Sequence, residues 1–408
     1  MKLLYIADGR SPIAINWISH FIRSGYEVHL VSTFPCLPIA GLDSLVVIPV
    51  ALSGYYSSPD VITRDRVRLI RQILPVGLRT KIRQFAAPLT FSRATSSLLE
   101  VLERIRPDMI HAMRIPYEGM ITSMAVTRIN PSGGKSKKIP LLVSVWGNDF
   151  TLHARSTHLM DRYTRQTLRS CEGLHTDCKR DQDLASEMGF PQNKPKIVLP
   201  GGGGVNLDVF HPVQIEDQAN GEESTIDDSL PMIINARGFR AYVRNDTFFH
   251  AIPLVLKANP HVRFICPGMA GESQAQKWIT ELGIASQVDL LPLQSQEKMA
   301  ELFRQSQIHL SITTHDGTPN SLLEAMASGC FPIAGDIESL REWIIPGVNG
   351  SLVDPGDPAA LAEVINNVLS QPEMRKQARE LNLQLVKERG EYGKTMQLAE
   401  DFYKKLIG

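Results

Sequence analysis

Short apolar, β-branched runs alternate with longer amphipathic segments along the whole chain. The runs are KLLYIADG, EVHLVSTF, SLVVIPV, PDMIHAM, LLVSVWG and KIVLPGG in the first half, and PMIINARG, VRFICPG, VDLLPL, IHLSITT and FPIAGD in the second. Between them lie segments such as SQEKMAELFRQSQ, whose apolar residues recur at the three- and four-residue spacing of a helix. Strands that alternate with helices imply parallel sheets covered by helices on both faces. The pattern therefore predicts an α/β protein with doubly wound sheets.

An acidic, polar stretch separates the two sets of runs. Residues 211–230 contain six acidic residues and neither Lys nor Arg, and they follow the four glycines of 201–204. Such a composition is typical of a solvated excursion between domains. We therefore expect an N-terminal Rossmann-like domain over 1–204, a linker over 205–230, a C-terminal Rossmann-like domain over 231–390, and a last helix over 391–408 that packs back toward the N-terminal domain. Ligands of such sheets bind beyond the carboxyl ends of the strands, which predicts a central cleft faced by both domains.

Composition narrows the class of protein. The chain has 408 residues, of which 43% are hydrophobic and 21% charged, which are ordinary values for a globular protein with a core. It contains no apolar window long enough for a membrane-spanning helix, and the short apolar run before Asp8 is expected to be a first strand and not a signal peptide. The five cysteines are scattered and form no CxxC pair. This argues against a disulfide framework and a zinc site, and it fits a reducing cytoplasm.

The net charge of zero hides an asymmetry between the halves. Residues 1–200 contain 26 Lys and Arg against 16 Asp and Glu, whereas residues 201–408 contain 17 against 27. The basic half is expected to meet something anionic. Residues 62–93 alone contain eight Lys and Arg and a single acid, with apolar residues interleaved. Two interpretations stay open: a solvated helix face, or an interfacial helix pair on anionic lipid.

The segment IHLSITTHDGTPNSLLEAMASGCFPIAGD, residues 308–336, carries the clearest chemistry. It predicts a strand over 308–312, a loop, and a helix that starts near Asn320 or Ser321 and stops at Gly329. The N-terminus of that helix would be an anion site at the carboxyl end of a strand. Glu324 falls one turn inside the helix and Asp316 lies on the loop, so both acids could reach sugar hydroxyls. Two acids beside an anion site suit a nucleotide-sugar.

This segment resembles the signature of family 4 of the glycosyltransferases, the retaining enzymes of the GT-B fold. Asp316 is followed by seven residues and then by Glu324, Ala-Met-Ala and Gly329, although the family usually has Glu at the first position. The segment is similar to a DGTPNSLLEAMA-type subgroup. The resemblance implies two Rossmann-like domains that face a central cleft, transfer of a sugar with retention of configuration, and no metal cofactor.

The resemblance also implies which residues contact the donor. Arg237 matches the family's Arg, and Arg244 is the best match for its Lys, with Arg240 as the competitor. Leu293 falls where the family holds the nucleobase, and Gly9 lies in the loop that approaches the diphosphate. The expected donor-binding residues are Gly9, Arg237, Arg244, Leu293, Asp316, Thr318, Pro319, Asn320, Ser321 and Glu324. Arg237, Asp316 and Glu324, together with Asp149, are expected to be catalytic.

The N-terminal half departs from the family at one position. In VSVWGNDF, Trp146 stands where the family usually has His, whereas Asp149 matches the family's acid and is expected to position a hydroxyl. A helix N-cap is the alternative role for Asp149. His111 follows an apolar strand and is expected to be a packed structural residue. The acid pair Asp181 and Asp183 is assigned to a solvated helix surface and not to a metal site.

The sequence thus predicts a retaining glycosyltransferase that moves a sugar from a UDP- or GDP-linked donor to a hydroxyl of a glycan, glycolipid or small molecule. Two alternatives stay open: a GT-B nucleotide-sugar epimerase, and a non-catalytic sugar-nucleotide binding protein. A dehydrogenase is disfavoured because GxGxxG is absent. The expected location is cytoplasmic. Peripheral contact with the inner face of the cell membrane follows only from the lipid interpretation of 62–93, which stays open beside the solvated one, and no nucleic-acid partner is expected.

Overall fold

A computed structural model describes residues 1–51, 53, 76–129, 138–212 and 230–408. The chain divides into two compact units, Met1–Gly203 with Thr395–Gly408 and Gly204–Lys394. The last helix thus belongs to the first unit. Most of the acidic stretch, and the first part of the basic segment 62–93, lie outside the described residues.

The first unit contains a seven-stranded parallel sheet in the order β3-β2-β1-β4-β5-β6-β7. Its strands are β1 (Lys2–Ala7), β2 (Glu27–Ser32), β3 (Ser44–Val47), β4 (Met109–Ala112), β5 (Leu141–Val145), β6 (Gly173–Thr176) and β7 (Lys196–Val198). Its helices are α1 (Pro12–Arg23), α2 (Val76–Ile105), α3 (Met120–Ile129), α4 (His158–Ser170), α5 (Lys179–Glu187) and α12 (Tyr392–Ile407). A short turn, Ile115–Gly119, follows β4, with non-helical backbone angles at Pro116 and Tyr117, and a π-helical turn, Asp149–Ala154, follows β5.

The second unit contains a six-stranded parallel sheet in the order β10-β9-β8-β11-β12-β13. Its strands are β8 (Met232–Ile234), β9 (Arg263–Pro267), β10 (Val288–Leu291), β11 (Ile308–Ser311), β12 (Phe331–Gly335) and β13 (Ser351–Val353). Its helices are α6 (Asn245–Ala258), α7 (Ser273–Leu282), α8 (Gln296–Gln305), α9 (Asn320–Ser328), α10 (Pro358–Leu369) and α11 (Pro372–Arg389).

Local sequence explains how the elements begin and end. The side chain of Ser11 caps α1 by accepting a hydrogen bond from the N–H of Ala14 over 3.4 Å, and Pro12 stands at the first helical position. α9 ends at Gly329, whose φ of 98° is left-handed, a conformation that glycine adopts without strain. The apolar runs become strands buried on both faces, such as β5, in which all five residues are buried.

Strand order places the functional loops. In the second unit the order reverses between β8 and β11, and in the first between β1 and β4. Ligands of open α/β sheets bind at such switch points, beyond the carboxyl ends of the strands. The loops after β8 and β11 carry Arg237 and Asp316. The predicted fold class, with two doubly wound Rossmann-like domains, is confirmed. None of the helices in the described ranges is both long and apolar enough to cross a membrane.

Candidate functional site

Arg237 is the centre of the site in the second unit. It follows β8, and its guanidinium forms an ion pair with Asp316 and donates a hydrogen bond to the hydroxyl of Ser321 over 3.3 Å. The side chains of Arg237 and Asp316 are only 12% and 15% exposed. Planar arginine forks of this kind bind two oxygens at once. The structure therefore brings together three of the predicted donor residues at the switch point.

Glu324 lies one turn into α9, close enough to Arg237 for its carboxylate to feel the guanidinium charge. Burial raises the pKa of Glu324 to about 7, and the positive charge of Arg237 opposes this rise only in part. Within the described part of the chain, the carboxyl group forms no hydrogen bond. Near neutral pH both the protonated and the ionised form of Glu324 are therefore populated. The carboxyl group can thus either donate a hydrogen bond to a hydroxyl or accept one from it.

Hydrogen bonds from the segment after β12 fix the loop between β11 and α9. The hydroxyl of Ser339 donates a hydrogen bond to the backbone oxygen of Asp316 over 2.7 Å, and the indole N–H of Trp343 donates to the hydroxyl of Thr318 over 2.9 Å. Pro319, the residue before α9, is extended with φ −69° and ψ 125°. The first N–H groups of any helix lack partners within it, so those at Asn320 and Ser321 are available to an anion.

A row of buried polar side chains, which sequence reasoning missed, runs along β11 and two residues beyond its end. His309, Ser311 and Thr313 alternate with Ile308, Leu310 and Ile312, which pack in the core, so the polar residues share the opposite face. The ring nitrogens of His309 and the two hydroxyls have no hydrogen-bond partner in the described parts of the chain. Burial and the charge of Arg237 lower the pKa of His309 to about 3. Buried polar groups of this kind are usually satisfied by water.

Arg244 stands apart from this cluster. Its backbone N–H donates a hydrogen bond to the backbone oxygen of Ile312, but its guanidinium forms an ion pair with Asp246 over 2.7 Å. This pair raises the pKa of Arg244 and lowers that of Asp246. The Arg244 side chain also lies close to Gly356, three residues beyond the end of β13. The competitor Arg240 is exposed. The predicted role of Arg244 at the donor therefore stays a prediction.

The remaining predicted donor residues lie at the carboxyl ends of other strands. Leu293 follows β10 and is 91% exposed, beside Gly268 at the end of β9. Gly9 follows β1, and a Cβ there would come within 2.5 Å of the Cys36 sulfur and 2.9 Å of the Ser32 hydroxyl. A side chain at position 9 would therefore require Cys36 and Ser32 to shift. Contact between either residue and a donor stays a prediction.

In the first unit, Asp149 is fully buried and paired with Arg114. One carboxylate oxygen accepts from the guanidinium at 2.6 and 3.0 Å, and the other accepts from the backbone N–H of Trp146 at 3.0 Å. Neither oxygen caps the following helical turn, since that turn has no side-chain cap. The Arg114 guanidinium lies 5.9 Å from the centre of the Trp146 ring. The arrangement presents a charged pair after β4 and β5.

The assignment of Asp181 to a solvated surface is wrong. Asp181 is completely buried and accepts two hydrogen bonds from Arg180, at 2.8 and 3.0 Å, whereas Asp183 is exposed. Burial raises the pKa of Asp181 to about 6. The sequence contains no signal for this because an acid at the start of a helix is usually exposed. Glu118, also buried, accepts from the Thr33 hydroxyl at 2.5 Å and was not predicted as a functional residue.

Asp177, Cys178 and Asp181 are the group in the described residues whose geometry comes nearest to a metal site. Their ligand atoms lie within 4.8 Å of one another. Arg180 already supplies a positive charge to Asp181, and the N–H of Gly147 donates to Asp177 over 3.2 Å. Burial raises the pKa of the Cys178 thiol well above its ordinary value, which disfavours the thiolate that binds metals.

His111 belongs to a buried chain of hydrogen bonds. The Nε2–H of His175 donates to the backbone oxygen of Leu199 over 2.9 Å, so its Nδ1 accepts from the hydroxyl of Ser144 over 2.8 Å. The Ser144 oxygen in turn accepts from Nε2 of His111 over 2.7 Å, and Nδ1 of His111 accepts from Tyr403 over 2.6 Å. Burial lowers the pKa of both histidines.

This chain ties the last helix to the first unit. The Tyr403 oxygen accepts from the indole N–H of Trp17 over 2.8 Å and lies 3.2 Å from the Tyr5 hydroxyl. Tyr403 thus joins α12 to α1, β1 and β4. His111 is buried within the sheet, as expected for a structural residue.

Two family profiles match the chain. The profile "Glycosyl transferase 4-like domain" matches residues 13–201, and "Glycosyl transferases group 1" matches residues 216–382. The chain belongs to the glycosyltransferases of the family 4 type. This confirms the resemblance seen in the sequence and the class of enzyme, a transferase. The DGTPNSLLEAMA-type subgroup stays a prediction.

Curated relatives of this family 4 chain are distant. A D-inositol 3-phosphate glycosyltransferase of Streptomyces avermitilis is 27% identical over 218 residues, which cover 51% of this chain and 46% of the relative. The matched region thus spans about half the length of that protein. A GDP-mannose:cellobiosyl-diphosphopolyprenol alpha-mannosyltransferase of Xanthomonas oryzae is 27% identical over 359 residues, 83% of this chain and 86% of the relative.

Solved structures of similar fold cover the whole chain. The sucrose-phosphate synthase of Thermosynechococcus elongatus has a TM-score of 0.73 at 13% identity, with 100% of this chain and 99% of that chain covered. Anabaena HepE in complex with UDP has a TM-score of 0.71 at 14% identity, with 99% and 100% covered. At these identities the similarity establishes the fold, which is that of the GT-B glycosyltransferases.

Proposed function

We propose that this family 4 protein transfers a sugar from a nucleotide-sugar to an acceptor hydroxyl. The observation that carries the proposal is the cluster of Arg237, Asp316 and Ser321 at the switch point of the second sheet, with Glu324 beside it. It combines a guanidinium and a helix N-terminus, which suit a diphosphate, with a carboxyl group that can exchange hydrogen bonds with sugar hydroxyls.

Each residue has a distinct part in this proposal. Arg237 and the N–H groups at the start of α9 stabilise the charge that develops on the departing diphosphate. Asp316 orients the guanidinium, and Glu324 holds the sugar. Arg244, Leu293, Gly9, Thr318, Pro319 and Asn320 complete the proposed donor contacts, with Leu293 at the nucleobase.

The donor is proposed to be UDP- or GDP-linked. HepE structures are described in complex with UDP and with UDP-glucose, and the Xanthomonas relative is named for GDP-mannose. We further propose that transfer retains the anomeric configuration, that the departing phosphate oxygen takes the acceptor proton on the same face, and that no metal is needed. In this scheme the positive charge of Arg237 serves where a metal ion would otherwise act.

The acceptor is proposed to be a glycan or a lipid-linked glycan. The Xanthomonas relative is named for a diphosphopolyprenol acceptor, and the first 200 residues of this chain carry an excess of ten positive charges, 26 against 16. Asp149, held by Arg114, is proposed to position the acceptor hydroxyl. The proposed location is cytoplasmic, with contact at the inner face of the cell membrane.

A screen of nucleotide-sugars by thermal shift tests the donor site, because a ligand that binds only the folded state raises the melting temperature. We expect one UDP- or GDP-sugar to stabilise the wild type, and Glu324→Ala to weaken this shift. Glu338→Ala, which removes an exposed acid just beyond the site, is the matched control and should behave as wild type.

Incubation of that sugar with a panel of acceptors then tests transfer. We expect nucleoside diphosphate release only when an acceptor is present, and a product with the donor's anomeric configuration by NMR. Conversion of the donor sugar to its epimer without acceptor, or tight binding without turnover across the panel, would contradict the proposal.

A further inference from the structure

α2 presents an unusual face to solvent. Phe85 and Leu89 are 72% and 85% exposed, and they stand four residues apart, so they share one face of the helix. No other two exposed large apolar side chains in the described ranges stand one turn apart on a helix. Singly exposed leucines need no explanation, whereas two exposed apolar side chains on one helix face together offer a small binding surface.

The opposite face of α2 explains why this pair is exposed. Phe91, Ala94 and Leu98 are buried in the core of the first unit. Their spacing of three and four residues fixes which side of the helix faces the core. Phe85 and Leu89 therefore cannot turn inward without removing these residues from the core. Farther along the outer face, Ser92, Arg93 and Ser96 are exposed and polar, so the apolar surface is confined to the N-terminal half of the helix.

Charge identifies the occupant of this surface. Residues 76–93 contain Arg79, Lys81, Arg83 and Arg93 and no acidic residue, whereas the rest of α2 contains Glu100 and Glu103 with Arg104. In the sequence, the apolar pair thus falls within the basic, acid-free part of the helix, 76–93. Positive charge beside inserted apolar side chains is the combination by which interfacial helices bind anionic lipid.

We propose that the N-terminal half of α2 lies on an anionic membrane surface, with Phe85 and Leu89 inserted between the lipids. The proposal deepens the membrane contact in the proposed function by naming the residues that carry it. It rests on the geometry of α2, and binding to lipid can be measured without any donor or acceptor.

Cosedimentation of the full chain with vesicles tests this. We expect binding to phosphatidylcholine vesicles that contain phosphatidylglycerol, weakening with salt, and little binding to phosphatidylcholine alone. The double variant Phe85→Ser/Leu89→Ser should lose roughly tenfold or more in partitioning. Leu381→Ser/Leu398→Ser, which changes two exposed leucines on α11 and α12, should bind as wild type. Equal binding by both double variants would overturn the proposal.

Two further readouts keep the outcome decisive. Phe85→Trp, which conserves an aromatic ring, should show a blue shift of its fluorescence with anionic vesicles, and no shift would overturn the proposal even if the double variant fails to fold.

Light scattering of the free protein should show the same mass for wild type and double variant. A dimer that the double variant dissociates would make this face a contact between copies of the chain and overturn lipid insertion. Transfer to a water-soluble acceptor should be unchanged in the double variant, which separates this proposal from the proposed function.

Discussion

Arg237 and Asp316 lie 79 residues apart in the chain and form an ion pair that is almost closed to solvent. The pair exists because β8 and β11 are neighbours in the sheet and both loops leave its carboxyl edge. The guanidinium also contacts Ser321 at the start of α9. One arginine thus connects the acid of the loop to the helix N-terminus where a diphosphate is proposed to bind.

Arg237→Ala is expected to lower kcat/KM by about 100-fold or more, because a fixed donor to the leaving group is lost. It should also destabilise the fold, since Asp316 would remain as a largely buried carboxylate without its cation. Arg237→Lys keeps the positive charge but lacks the planar guanidinium that binds two oxygens. It should therefore recover more of the wild-type stability than of the wild-type kcat/KM. Steady-state kinetics and urea unfolding measure the two effects.

Arg263→Ala is the control for this prediction, because it removes an exposed arginine that pairs with Asp289. Exposed pairs contribute at most about 1 kcal/mol, so kinetics and stability should both stay near wild type. If Arg237→Ala transferred the sugar at the wild-type rate, Arg237 would have no part in the reaction.

The raised pKa of Glu324 makes stability depend on pH. Its ordinary value is 4.5 and its folded value about 7, so between these pH values the unfolded chain releases a proton that the folded chain keeps. This group's contribution to stability therefore falls as the pH rises from 4.5 to 7. The neutral side chain of Glu324→Gln does not titrate, so this variant keeps its stability as the pH rises. Its free energy of unfolding should therefore increase relative to wild type by on the order of 1–3 kcal/mol between pH 4.5 and 7. Thermal melts of both proteins from pH 4.5 to 8 measure the difference, and a constant difference would contradict the raised pKa.

Two serine substitutions test the buried polar chain of the first unit against the polar row of β11. Ser144→Ala leaves Nε2–H of His111 and Nδ1 of His175 without their partner, at an expected cost of about 2 kcal/mol or more. Ser311→Ala removes a buried hydroxyl that has no partner in the described residues, and should change stability by less than about 1 kcal/mol. Urea midpoints compare the two variants. Equal losses would show that Ser311 is satisfied in the protein as well as Ser144 is.

Gly335, at the end of β12, is expected to tolerate no side chain. A Cβ there would come within 2.4 Å of the backbone oxygen of Thr313 and 3.1 Å of its nitrogen. Because backbone atoms cannot rotate away as a side chain can, Gly335→Ala should displace the chain just beyond β11 and lower both stability and donor binding. Gly356→Ala, whose nearest neighbour is the carboxylate oxygen of Asp354 at 3.2 Å, is the matched control. The melting temperature of Gly356→Ala should stay within a few degrees of wild type, which corresponds to a stability loss on the order of 1 kcal/mol. If the donor raised the melting temperature of Gly335→Ala as much as that of wild type, the prediction would be contradicted.

Arg244 and Arg240 compete for the predicted second cation of the donor site. Arg244→Ala breaks a surface pair with Asp246 and should cost at most about 1 kcal/mol. If Arg244 binds the diphosphate, its loss raises the KM for the donor while Arg240→Ala leaves KM unchanged. The reverse result would assign the role to Arg240.

Local patterns were sufficient for the class of fold and for one half of the site. Alternating runs predicted both parallel sheets, because strand and helix periods are written in neighbouring residues. The spacing from Asp316 to Glu324 predicted a loop acid and a helix acid, since strand, loop and helix follow one another within 308–336. The same reasoning failed at Asp181, because burial depends on what packs over a helix and not on the helix itself.

Contacts between distant parts of the chain followed from the arrangement of the strands. The partnership of Arg237 with Asp316 depends on which strands are neighbours, and that of His111 with Tyr403 on a last helix that returns to the first unit. The exposure of Phe85 and Leu89 depends on which face of α2 packs into the core. Residue order dictates periodicity and motif spacing because these act over a few residues. Pairing, burial and pKa arise from packing between segments tens to hundreds of residues apart, and they required the folded protein.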